Sequence, residues 1–317
     1  MSASPEAASG VRNIECPACG APVDRDANDP EIAGLIPCAA CGLRWERILP
    51  SGEELARSYQ TGFYEAAAPR GGRLTKAFHA FNSTLRLREL RGMPPGRLLD
   101  LGCGKGHFVA AARRVGWDAI GTDHSPAAAA AARQLYGIEI IVGDVTEVAL
   151  DGPFDAVTMW HMLEHVPDPA GVLRRSRELL APGGRLVVSV PNLASAQART
   201  FGPDWFHLDR EHHAFHFTPV ALNRLLEREG FVVERIGYLY PEMEAIGLVQ
   251  SVLNRAGLRR DELYRFMKRD RTVRADRSLL AAAGLAAAAT PFALSASIVM
   301  PLLRSGASMQ FVAHLDH

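Results

Sequence analysis

The chain has 317 residues, with 35 basic and 35 acidic side chains and 48% hydrophobic residues. That length suits about two domains, or one large domain with an appendage. Zero formal net charge gives no global field that would draw the chain to nucleic acid or to a membrane. The opening MSASPEAASG lacks both a basic start and an apolar run, which argues against a secretory signal, so the expected compartment is the cytoplasm.

In chain order, residues 1–10 are small and polar without periodicity and read as a disordered lead-in. Two knuckles follow, Cys16-Pro17-Ala18-Cys19-Gly20 and Cys38-Ala39-Ala40-Cys41-Gly42. In each, two sulfurs bracket one metal and the glycine permits the tight turn. Four thiolates close a tetrahedral Zn²⁺ shell with no open position, so the zinc is expected to be structural. A redox dithiol would want a thioredoxin-like βαβ context, which neither pair has. Residues 1–50 are thus a lead-in and zinc ribbon. Residues 51–95 read as a helical linker or cap, broken at Gly71-Gly72 and stopped by Met93-Pro94-Pro95-Gly96.

From 96 to 240 short apolar runs (97–101, 119–122, 138–142, 154–160, 185–190) alternate with helical ones (108–115, 127–135, 170–180). This alternation predicts βαβ units and a mainly parallel, doubly wound α/β sheet. A helix over 219–229 and a strand over 231–240 follow. Residues 241–304 interrupt the pattern as a basic and apolar helical insertion, and 305–317 supply the final strand of the sheet.

Leu98 to Phe108, LLDLGCGKGHF, is a strand running into a glycine turn and a helix. Gly102, Gly104 and Gly106 let the backbone turn sharply and approach a ligand. The exposed N–H groups at the helix start can take a carboxylate, and Asp100 at the strand end can hold an ammonium group. A glycine turn alone also suits dinucleotides, but His107 stands where their third glycine would be. Asp123, after the second strand, can accept from two ribose hydroxyls, and Asp144, after the third, from an adenine amino group. Each acid alone could be a turn or cap residue; three at successive strand ends form a pattern.

With these segments, and with Phe154 to Val157 leading into His161 to Val166 and Leu180 to Leu186, the chain resembles class I S-adenosylmethionine methyltransferases over residues 96–240. The resemblance implies that S-adenosyl-L-methionine lies across the carboxyl ends of the first three strands, with the loop from Trp160 to Met162 over it. Within that class, residues 162–169 and Asp209, His213, His216, Phe217, Thr218 and Pro219 resemble the branch of ubiquinone-biosynthesis O-methyltransferases and bacterial cell-surface-glycan methyltransferases. Glu211-His212 stands where a Pro-Arg pair is common. The Glu-x-x-Glu-His metal cluster of the ubiquinone O-methyltransferases appears here as His161-x-x-Glu164-His165; the resemblance allows a second, divalent metal, but the different first ligand and the limit that Pro167 sets on any helix count against it. His161 and His165 would share a face if that stretch is helical.

The residues expected on the acceptor side are His165 and His213 first, then Glu164 and His161, because a histidine near its ordinary pKa suits proton abstraction. The expected partner is a small or lipid-linked acceptor, methylated on oxygen in preference to carbon. An RNA acceptor lacks a visible basic face. A silent binding scaffold would not need the three acids. Residues 279–303 carry no charge and nine alanines. Pro291 divides them into halves too short to cross a bilayer, which predicts either a buried helical pair or a hairpin lying on the inner membrane face beside the arginine-rich stretch that precedes it.

Overall fold

The computed structural model describes residues 13–49, 73–267 and 276–316. The expected lead-in, the part of the linker before residue 73 and residues 268–275 of the basic stretch lie outside them. Twelve strands and nine α-helices are assigned among the described residues. Seven strands form the central sheet: β5 (Arg97–Leu101), β6 (Asp118–Asp123), β7 (Ile141–Val142), β8 (Phe154–Trp160), β9 (Leu180–Pro191), β11 (Phe231–Gly237) and β12 (Ser308–Leu315). Their order is β11-β12-β9-β8-β5-β6-β7. β5 through β9 pair in parallel, and β12 inserts antiparallel between β9 and β11. The expected doubly wound class is the observed one.

Strand alternation sends neighbouring side chains to opposite faces, and two cores result. Leu99, Leu101, Val157, Met159, Leu186, Val188, Phe311 and Ala313 build one. Leu98, Ala156, Trp160, Val187 and Val312 build the other, with Phe108 and Val109 of α2 (His107–Arg114). Three helices start alike: α3 (Pro126–Tyr136), α4 (Pro169–Leu179) and α6 (Pro219–Arg228) each have proline in the first turn. The residue before each proline, Ser125, Asp168 or Thr218, accepts from a backbone N–H three positions on. Proline presets the helical φ and the cap satisfies an orphan donor. α1 (Arg73–Leu87) precedes β5, and α5 (Ala196–Phe201) follows β9.

The ribbon comprises two hairpins, β1 (Asn13–Glu15) with β2 (Pro22–Asp24) and β3 (Leu35–Pro37) with β4 (Arg44–Glu46). It is not a separate body. β4 also pairs antiparallel with β10 (Phe215–His216), Trp45 opposite Phe215. Ile36, Leu43 and Trp45 share one hydrophobic cluster with the first face of the main sheet.

The insertion holds α7 (Pro241–Arg255), α8 (Glu262–Met267) and α9 (Arg277–Leu302). Here the structure corrects the expectation of two short halves: α9 is one continuous helix of 26 residues with Pro291 and Pro301 inside it. Proline removes one intrahelical donor and crowds the preceding turn, but packing of a long seam against the protein holds the helix through it. β11 ends and β12 begins at the carboxyl end of the parallel strands, since Gly237 pairs with Gln310 and Ser308 with Pro191. Both ends of the insertion therefore return to the edge where ligands bind in open α/β sheets.

Candidate active site

The glycine turn sits at the end of β5 with left-handed backbone at Gly102, Gly104 and Gly106 (φ 66°, 55° and 71°), a region costly for any residue with a Cβ. A Cβ at Gly102 would also lie 2.5 Å from Cγ of Met162. Asp123, buried at the end of β6, ties the turn down. Its Oδ2 accepts from the Gly104 N–H (2.8 Å) and its Oδ1 from the Ser125 N–H (2.9 Å). Burial raises its carboxyl above the ordinary range, opposed by the hydrogen bond from Ser125. Asp100 is fully buried and accepts from the Thr158 hydroxyl at 2.7 Å. Burial pushes it up to about 7 against that hydrogen bond and the charge of Arg86. Asp144 stands after β7 as expected but is exposed, and its Oδ1 takes the N–H and hydroxyl of Thr146. Trp160 ends β8, buried with its indole edge-on to Phe108, and its Nε1 finds no hydrogen-bond partner.

Sequence reading missed two groups here. The Arg86 guanidinium of α1 lies 5.1 Å from the centroid of the Trp160 ring and bonds the Tyr240 hydroxyl. Tyr240, just before α7, packs edge-on against His161. Neither belongs to a local motif.

Residues 161–166 form turns, not a helix, so His161 and His165 do not share a helical face. His161 instead takes left-handed backbone (φ 56°). Its Nδ1 lies 3.2 Å from Oε1 of Glu164, and burial with the Arg86 charge lowers its pKa to about 3. Glu164 is 1% exposed and burial pushes it up to about 7; its Oε2 has no hydrogen-bond partner. His165 points its Nε2 toward Oε1 of Glu164 (4.0 Å), while its Nδ1 meets the carbonyl of His212 at 3.0 Å. His213 packs edge-on against His165, with Nδ1 3.0 Å from the carbonyl of His207. A carbonyl only accepts, so Nδ1 carries the proton in both rings and Nε2 is a lone-pair site. Burial lowers both pKa values, that of His213 well below its ordinary value.

Ligand atoms of Glu164, His165 and His213 all lie within 4.8 Å of one another. A carboxylate and two neutral imidazoles are a donor set that suits a divalent cation, and the unpartnered Oε2 of Glu164 fits that reading. The trio takes His213 in place of the expected His161.

Around the trio, burial alone would raise Asp209, but the bond from His212 Nδ1 (2.8 Å) and the nearby His213 hold it at about 2. Its hydrogen bond correspondingly raises His212. The amides of Ala214 and Phe215 donate to the carbonyl of Glu164, joining the 161–166 turn to β10. His207 bonds the carbonyl of Met243 at 2.9 Å, which ties the same loop to α7.

The four ribbon cysteines also converge. Sγ of Cys16 lies 3.7 Å from that of Cys41, and Cys19 and Cys38 are equally spaced. Zn–S bonds of ~2.3 Å at tetrahedral angles put sulfurs about 3.8 Å apart, so the shell fits zinc. The ribbon grips the loop that carries His207, His212 and His213. Arg210 makes paired bonds to Glu46 (2.6 and 2.8 Å) and one to the carbonyl of Ala33, and the Thr218 hydroxyl donates to the carbonyl of Cys41.

A parallel sheet with a glycine turn, acids at successive strand ends and a reversed last strand defines the Rossmann-like class of methyltransferase folds. A family model described as a methyltransferase domain matches residues 74–236, about half of the chain, and the protein belongs to that family. It is 38% identical over 132 residues to a ubiquinone biosynthesis O-methyltransferase of Xanthomonas campestris pv. campestris, covering 38% of this chain and 54% of that protein. The counterpart in Xylella fastidiosa is 36% identical over 146 residues, covering 43% and 56%. The chain thus spans about half the length of the curated relatives it matches. Among solved structures, the [4+2]-cyclase SpnF superposes with a TM-score of 0.52 at 18% identity, over 84% of this chain and 97% of that one. That likeness concerns the fold.

Proposed function

We propose that the protein transfers a methyl group from S-adenosylmethionine to an oxygen, in preference to a carbon, of a small or lipid-linked metabolite, with quinone-like phenols and glycan precursors as the leading classes. One observation carries this reading: the glycine and carboxylate cradle and the buried Glu164, His165 and His213 trio lie at the same carboxyl edge of one sheet. S-adenosylmethionine supplies an electrophilic methyl group for in-line displacement, which leaves the protein mainly the task of alignment and exclusion of water.

Asp100 holds the ligand's ammonium group, and the amides at the start of α2 hold its carboxylate. Asp123 keeps acceptor capacity on both oxygens for the ribose hydroxyls, because each carboxylate oxygen can accept more than one hydrogen bond. On the acceptor side, Glu164, with a carboxyl raised to about 7, takes a proton from a hydroxyl near neutral pH. His165, with its Nε2 4.0 Å from Glu164 Oε1, and His213, packed edge-on against His165, hold that carboxylate in place for the transfer. A divalent cation, where one binds, would be held by the same trio and would acidify the acceptor hydroxyl. Zinc in the ribbon would be structural. The relatives named for ubiquinone biosynthesis favour a phenolic acceptor; no comparable observation favours RNA.

Metabolite and glycolipid profiling of a deletion strain should reveal one species lighter by a methyl group, which identifies the acceptor. With that acceptor, His213→Ala should keep cofactor affinity and lower turnover by about 10²-fold, the scale of misplacing a reacting group by about 1 Å. Wild-type turnover in the variant would assign His213 to structure alone.

A further inference from the structure

The insertion presents a surface that methyl transfer does not use. α9 buries a narrow seam at Leu279, Ala282, Ala286, Ala293 and Ala296, the three- and four-residue spacing of a stripe packed on a neighbouring helix. Alanines there let α9 lie close against the protein. The opposite stripe, at 280, 284, 287, 291, 294, 298 and 302, is exposed throughout and wholly apolar. Leu280, Ile298 and Leu302 are 74%, 65% and 78% exposed, and Phe292 at the edge of the stripe is 66% exposed. A helix on a water-facing surface normally turns charged residues outward; this one has none between Arg277 and Arg304.

We propose that the outward face of α9 docks in the plane of an anionic lipid leaflet. Length and hydropathy would also permit a crossing. That arrangement would strip the buried seam, and both ends of the insertion return to one edge of the sheet. Lying flat satisfies the apolar face without disturbing the fold. Charge selects lipid over a second copy of the chain. Arginine bounds both ends of the face, and the chain leading into it, residues 255–277, carries nine basic against four acidic side chains. A two-fold pairing of this face sets the arginines at its ends, Arg277 and Arg304, against like charge, whereas anionic headgroups complement them. Because the insertion springs from the ligand edge, docking sets the acceptor-side loop near the headgroups. This deepens the lipid-linked part of the proposed function, and attachment is measured without any acceptor.

The test is co-sedimentation of the full chain with vesicles of phosphatidylcholine alone or mixed with phosphatidylglycerol, at low and high salt. The wild type should pellet with the mixed vesicles and be partly released as salt screens the arginines. The triple substitution Leu294→Asp, Ile298→Asp, Leu302→Asp should lower vesicle partitioning at least tenfold while S-adenosylmethionine binding shows that the core remains folded. Three outcomes overturn the proposal: wild type left in the supernatant with both vesicles, a triple variant that pellets like wild type, or a wild-type dimer that the variant breaks without any vesicle binding. Failure of cofactor binding in the wild type, with docking intact, would instead count against the methyl-transfer reading.

Discussion

The two halves of the ligand edge are assembled over different distances along the chain. On the cofactor side, Gly104 and Asp123 bond across 19 residues and Asp123 and Ser125 across two. Strand, turn and next strand suffice. On the proposed acceptor side, His165 reaches His212 across 47 residues, and the ribbon reaches the same loop at Arg210 across 164 and 177. The first half is a local device repeated wherever the βαβ unit occurs. The second exists only once the whole chain has packed, so its chemistry depends on segments that carry no ligand contact.

The strongest way to break this contrast is to remove the ribbon's metal. Cysteine spacing alone leads one to expect that Cys41→Ser would unfold only the N-terminal segment. The shared strand pairing and shared core predict a larger effect: chelation or Cys41→Ser should destabilise the whole protein by about 3 kcal/mol or more. Denaturant unfolding followed by cofactor binding should show one transition at a lower midpoint. An unchanged midpoint would mean that the two bodies are separable.

On the local side, Asp123→Ala should weaken S-adenosylmethionine by at least tenfold, since a charge-assisted hydrogen bond contributes about 1.5–3 kcal/mol. Asp144→Ala, at an exposed carboxylate already engaged by Thr146, should cost about threefold or less, because water competes for an exposed hydrogen bond and leaves it little net contribution. Titration calorimetry of both variants ranks them, and equal losses would contradict the difference in burial.

A subtler effect concerns Asp100, raised by burial to about 7 from an ordinary value of 3.8. Between those values the folded state holds a proton that the unfolded state has lost. Its contribution to stability is therefore fully present below pH 3.8 and is lost as pH rises through 7. Binding an ammonium group requires the ionised form, so cofactor affinity should fall as pH drops below 7, by up to about tenfold near pH 6. Asp100→Asn should bind more weakly and with a flat profile. A pH-independent wild type would show that this carboxylate does not meet the charge.

Sequence legibility follows the same division. Strand periodicity, the Ser/Asp/Thr-Pro helix starts and the glycine turn are local, and the sheet and its three acids could be read from them. Cysteine spacing likewise anticipated a four-sulfur cluster. The trio of Glu164, His165 and His213 was only half legible, because residues 161–166 form turns, where a shared face for His161 and His165 would have needed a helix, and His213 arrives from a distant loop. Arg86 and Tyr240 left no signal at all, and Pro291 suggested a break that tertiary packing overrides.

The pairing of β4 with β10 also has an order in time. The ribbon emerges from the ribosome with its β4 edge bare, and the strand that covers it is made only after most of the nucleotide fold. Until then Trp45, 4% exposed in the finished protein, has no Phe215 beside it. An uncovered strand edge is a template for pairing with other chains, and contacts this far apart in sequence form slowly. Early capture of zinc would give the nascent hairpins a closed shape of their own, holding them fit to receive a partner that arrives late.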